Sequence, residues 1–124
     1  MANPNIVNVT TIYGKTAYST PANTSATVLV ANAASSGKVY KINQITSANV
    51  DGTNAVDCTV ALNTAADGSG TSYAIASTIS VPADATLIVA DKSTGLYLEE
   101  NKSIVVTSGT ASKLTFMVSY EEIN

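Results

Sequence analysis

Apolar and polar residues alternate at a spacing of two along most of this chain, and helical spacing is missing throughout. Alternation of that kind predicts strands with one buried face. The clearest case is Leu114 to Tyr120, where Leu114, Phe116, Val118 and Tyr120 share a face. Tyr73, Ile75, Ile79 and Val81 share parity in an earlier run, with Ser77 as its one polar member. Ala26, Val28 and Val30 line one face of another. Shorter strands are expected at Leu87–Ala90, Leu96–Leu98 and Ile104–Thr107. Ile42 and Ile45 break the alternation, which predicts a β-bulge or a change of buried face near Asn43-Gln44.

Turn chemistry separates these runs. Asp51-Gly52-Thr53-Asn54 is expected to join Val39–Val50 to Val56–Asn63 as a hairpin. Ala66-Asp67-Gly68-Ser69-Gly70, Ser93-Thr94-Gly95 and Ser108-Gly109-Thr110 mark further loops, and Pro82 ends a strand. Short strands with turns every 8–12 residues predict an all-β chain of two antiparallel sheets. The expected fold is an antiparallel β-sandwich, jelly-roll or immunoglobulin-like, or a barrel of similar make-up.

The first 24 residues differ. Ile6 to Tyr13 has strand propensity, Gly14-Lys15 interrupts it, and Thr20-Pro21-Ala22-Asn23 resembles a linker. Two readings stand for residues 1–24: the first strand of the sandwich, or an extended arm that pairs with a neighbouring subunit's sheet. The sandwich domain proper is then expected over 25–124.

Composition narrows the chemistry. The 124 residues amount to one domain, of which 12% are charged, and Thr, Ser and Asn supply the missing polarity. The chain has no His, Arg or Trp and one Cys. It therefore lacks the commonest general base and metal ligand, and the side chain suited to bidentate phosphate recognition. A net charge of −3 argues against a nucleic-acid partner. The apolar runs are too short to span a bilayer, so no membrane partner is expected either. Cys58 shares a face with Val56, Val60 and Leu62, which predicts a buried, unreactive thiol.

Candidate sites are few. Asp51, Asp57 and Asp67 are the plausible calcium ligands, but their loops lack the alternate acids of an EF-hand and suit turns better. Glu99-Glu100 and Glu121-Glu122 are paired carboxylates whose neighbours point to opposite faces of a strand, and a solvated edge is the expected role. Ser is abundant, yet there is no nucleophile elbow and no His to act as its base. No catalytic residue, metal or cofactor is expected. Tyr73 and Tyr120 have core parity, which leaves Tyr13, Tyr18, Tyr40 and Tyr97 as surface candidates. With Ile6, Val7, Val9 and Ile12 from the first segment, they form the expected interface set.

Several stretches carry a resemblance. Gly37 to Ile42, Ala48 to Thr53, Ile79 to Leu87, Leu96 to Glu100 and Val118 to Ile123, in that order, are similar to small virion structural proteins of tailed bacteriophages. The opening Met1 to Val9 resembles proteins of marine phages that infect cyanobacteria. The resemblance implies a non-enzymatic virion component made in the host cytoplasm. Its first expectation is a capsid decoration (cement) protein on the outer surface of the head. Such a protein binds the major capsid protein lattice and copies of itself, a trimer being one arrangement. The alternative it implies is a tail, neck or fibre-associated module that contacts host surface glycan.

Overall fold

The structure is a computed structural model and describes residues 4–124. Nine strands form: β1 (Ile12–Ser19), β2 (Thr27–Asn32), β3 (Val39–Asn49), β4 (Val56–Asn63), β5 (Ser72–Val81), β6 (Thr86–Ala90), β7 (Leu96–Leu98), β8 (Lys102–Ser108) and β9 (Leu114–Ile123). Sheet A runs β1-β9-β3-β6, with β7 pairing β3 beyond the end of β6. Sheet B runs β2-β8-β4-β5. All pairs are antiparallel.

The pairing has a simple logic. β4 pairs β5, β3 pairs β6 and β7, β2 pairs β8, and β1 pairs β9. These are the rungs of one long hairpin whose tip is the loop 64–71. Rolling that hairpin on itself brings β9 beside β3 and β8 beside β4. This winding is the jelly-roll, and it selects between the two sandwich topologies expected from the sequence.

The core lies between the sheets. From sheet A come Ile42, Ile45, Leu98, Leu114, Phe116 and Val118, and from sheet B Val56, Cys58, Val60, Ile104 and Val106, all at most 2% exposed. Each large side chain among them stabilises the fold by roughly 1.5–3 kcal/mol. The expected face of β9 is the buried one, and the bulge of β3 falls between Ile42 and Gln44 as anticipated. Cys58 packs fully buried, and burial pushes its thiol pKa up.

Three strands end on a buried Asn that stands in for a missing backbone partner. Asn32 donates to the carbonyls of Lys38 and Leu98. Asn49 donates to those of Asn54 and Val81 and accepts from the Asp51 N–H. Asn63 donates to the Gly70 carbonyl and the Ser72 hydroxyl, and accepts from the N–H groups of Ala65 and Gly70. At most 3% of any of the three is exposed. A buried polar group is tolerated when it is bonded in this way, and here it fixes where the chain leaves the sheet.

Several expectations are corrected. Asp51-Gly52-Thr53-Asn54 is not a hairpin, since β3 and β4 lie in different sheets. It is a crossover held by Asp51, whose carboxylate accepts from the N–H groups of Thr53 and Asn54. Tyr73 keeps the inward parity, opposite Leu62 of β4, but is not buried. β5 is an edge strand with two bulges against β4, Thr78 has φ +51°, and Tyr73 is 61% exposed while Ala76 is buried. A bulge at Leu29 likewise turns Val28 outward and leaves Leu29 and Val30 buried.

Of residues 1–24, Ile12–Ser19 form a strand paired with β9 of the same chain, so the sandwich begins well before residue 25. Residues 1–3 lie outside the described residues. Among those described, no extended arm is seen. Pro4 to Thr11 instead fold back through a turn, with Asn8 N–H bonded to the Asn5 carbonyl. Thr10 and Thr11 are tied to Asn124 by main-chain hydrogen bonds.

Candidate functional site

The two outer faces of the sandwich differ. On sheet B, Val28 and Val105 point outward as cross-strand neighbours. The loop 64–71 folds back over them, so close that a Cβ on Gly68 would come within 3.1 Å of Val28 and 3.3 Å of Val105. Asn63 holds the base of that loop, the Ser103 hydroxyl donates to the Ala65 carbonyl, and Asn101 accepts from the Ala66 N–H. That part of sheet B is thus covered by its own chain, although Val28 stays 36% exposed and Tyr73 and Ile79 on the β5 edge are 61% and 41% exposed.

Sheet A has no such roof over most of its outer face. Strand register arranges that face in rows across the sheet, because directly opposed residues share a face. One row is Tyr18, Met117, Thr46 and Ile88 on β1, β9, β3 and β6. Its members Tyr18, Met117 and Ile88 are 74%, 45% and 57% exposed. The next row is Thr16, Ser119 and Gln44, and the one after it Gly14, Glu121, Lys41 and Tyr97. Lys41 and Glu121 are the charged residues among the outward strand positions of this face, adjacent and opposite in sign. The last row is Ile12, Ile123 and Val39. Here Val39 and Ile123 are buried, beside a groove of about 310 Å³ lined by Pro4, Ile6, Val39, Tyr97 and Glu99. The folded-back N-terminal segment borders that end of the face.

A second, polar depression of about 590 Å³ opens where the edge of sheet A is broken between β6 and β7. Asn43, Gln44, Ser119 and the turn Asp91-Lys92-Ser93 line it. Asp91 caps that turn, accepting from the N–H and hydroxyl of Ser93, which hold its pKa below the usual carboxylate range. Asp51 and Asp67 are likewise engaged by hydrogen bonds within their own turns and have lowered pKa values. Among the described residues, no three of His, Cys, Asp and Glu are grouped so as to hold a metal ion.

The expected interface residues separate. Ile12, Tyr18 and Tyr97 lie on the outer face of sheet A, and Ile6 borders it. Val7 is 92% exposed in the N-terminal turn, and Val9 is half-buried. Tyr13 is exposed but takes the inward parity of β1, opposite Glu122. Tyr40 is a correction: it is 8% exposed and stacks on Tyr120 with ring centroids 5.0 Å apart. It shares the inward parity of Ile42, two residues on and before the bulge. Met117 and Ile88 were missed. Met117 has the opposite parity to the buried residues of β9, so its signal was present, whereas Ile88 shares the parity of the buried Ala90 and is turned outward only by the bulge between their pairings with Ile45 and Thr46.

The paired carboxylates also need correction. Glu100 and Glu122 are each 5% exposed, so one member of each pair leaves solvent. Glu122 faces inward at the rim of the sandwich and accepts from Lys15 at 2.7 Å and Lys38 at 2.6 Å. Those hydrogen bonds hold its pKa down and raise both lysines. The arrangement joins β1, β9 and the entry to β3 and is structural in character.

No known family model matches the chain, and no curated protein gives a significant match to it.

Proposed function

We propose that this chain is a non-enzymatic structural protein of a phage virion, a decoration protein that binds the assembled capsid lattice and strengthens it. The observation that carries the reading is the unequal pair of faces: a sheet B partly covered by its own loop behind, and an open, largely uncharged sheet A with an apolar row in front. A sandwich of this kind binds by fit of surfaces. An interface of about 1,200–2,000 Å² per contact is enough for specific association. Attachment to the assembled shell in preference to loose subunits stabilises the shell by mass action. The ordered motif resemblance supports the same reading and motivates the homo-oligomeric partner.

The test is addition of the recombinant chain to shells that lack it. Saturable binding with a raised shell disruption temperature is expected. Shells that bind none of it at micromolar concentration would overturn the decoration role. The polar depression at Asn43, Gln44 and Ser93 favours a second reading, a tail or fibre-associated module that contacts glycan. Immunogold labelling of particles separates the two, over the whole head for the first and at one vertex or the tail for the second.

A further inference from the structure

We propose that the outer face of sheet A is occupied by a second copy of this chain, in a two-fold, face-to-face dimer whose axis runs along the strands between β9 and β3. The proposal rests on the homo-oligomeric part of the reading above and names the surface used.

The argument is geometrical. A two-fold axis lying in the interface and parallel to the strands keeps each cross-sheet row opposite itself but reverses its order. β9 of one copy then lies over β3 of the other, and β1 over β6 and β7. In the charged row, Glu121 faces Lys41 of the second copy and Lys41 faces its Glu121. The adjacent acid and base therefore become two intermolecular ion pairs from one symmetry operation. In the same row Gly14 faces Tyr97 of the second copy. A Cβ on Gly14 would meet nothing within 4 Å, so there is open space for the ring. In the apolar row Tyr18 faces Ile88 and Met117 faces Thr46. In the row between, Ser119 faces Gln44, a pairing of hydroxyl with amide. The reversed rows thus set Gly14 against Tyr97 and Met117 against Thr46, opposite charges at Lys41 and Glu121, hydrogen-bonding groups at Ser119 and Gln44, and apolar Tyr18 against Ile88. An isologous interface requires this self-complementarity of a single patch.

Charge favours a second copy over a strongly charged partner. The chain carries −3 overall, yet the outward strand positions of this face carry one Lys and one Glu and are neutral. Copies that repel on average can meet here without net repulsion. Size points to a weak contact. Strands about 4.8 Å apart, rising about 3.4 Å per residue, give the three open rows a footprint of roughly 400 Å². That is below the roughly 600 Å² per partner at the lower end of standard interfaces, in the range of weak, transient ones. Aligned packing of sheets, about 30° apart, is also the common way for two sheet faces to meet.

Sedimentation equilibrium of the full chain tests the proposal through charge exchange. Dimers are expected at tens of micromolar. Lys41→Glu and Glu121→Lys should each weaken dimerisation about tenfold or more, because both symmetric ion pairs turn repulsive. The double exchange Lys41→Glu/Glu121→Lys should restore dimerisation to near the original strength. As a second measurement, a Tyr18→Cys/Ile88→Cys chain should form covalent dimers under mild oxidation, since Cys58 is buried and does not compete. A monomer at these concentrations, a dimer indifferent to the single exchanges, or a double exchange without rescue would overturn it. Shell binding is scored separately: a dimer that ignores shells sinks the decoration role alone, and a monomer that coats them sinks the dimer alone.

Discussion

The outer faces of sheets A and B begin with the same problem and solve it differently. Both project apolar side chains away from the core, Val28 and Val105 on one, Tyr18, Met117 and Ile88 on the other. On sheet B the chain covers this pair itself, with a loop anchored by three hydrogen bonds to Asn63, which also donates to Ser72 at the start of β5. On sheet A the long hairpin has no spare loop above the middle of the face, and the apolar row stays in water. The lesson is that outward apolar residues are explained only when their cover is identified. Where the cover lies within the chain they belong to folding, and where none exists they point to assembly.

The comparison can be broken most forcefully at Asn63. Asn63→Ala leaves the Gly70 carbonyl and two loop N–H groups without their buried partner, and should destabilise the fold by about 3 kcal/mol. Urea denaturation measures the loss. Binding of an apolar dye in the native baseline should rise as the roof over Val28 and Val105 loosens. An Asn63→Ala chain as stable as the original would mean that the loop covers sheet B without being held there.

An effect of intermediate size belongs to the rim, where sheet A secures its edge strand with charge. The Glu122 pKa is depressed in the fold by Lys15 and Lys38, so its contribution is present above the unfolded carboxylate value of about 4.3. It is lost as pH falls through the lower folded value. The raised lysines contribute below about 10.4 and lose that contribution as pH climbs through their folded values. Glu122→Gln should therefore be less stable than the original at pH 7, and the two should converge under acid. Thermal melts across pH 2–8 read this, and a difference that persists undiminished at the acid end contradicts it.

The smallest effect sharpens the contrast. Tyr18→Ser and Ile88→Thr, measured at submicromolar concentration where copies are apart, should change stability by no more than about 0.5 kcal/mol each. Losses of 2 kcal/mol or more would show that the open face supports the fold of the single chain.

Much of this was legible in the residues. The alternation of Leu114, Phe116, Val118 and Tyr120 located the buried face of β9, and the Ile42–Ile45 irregularity located a bulge, because both depend on local parity. Val28 was misplaced because the bulge at Leu29 separates it from the buried parity of Val30. Tyr40 follows the parity of Ile42 and not that of Ile45 across the bulge, and Tyr73 keeps inward parity but stays exposed because β5 is an edge strand. The candidate face was half visible: Ile12, Tyr18 and Tyr97 were singled out, whereas Met117 and Ile88 join them only once register sets β9 between β1 and β3.

By itself the sequence determined the class, an antiparallel all-β chain with a small buried thiol and little titratable chemistry, because side-chain parity and composition are local properties. Tertiary structure alone decided the jelly-roll winding, the crossover at Asp51–Asn54, the roof over sheet B and the bare row on sheet A. These depend on which distant strands become neighbours, and that choice is made by the joint packing of both sheets.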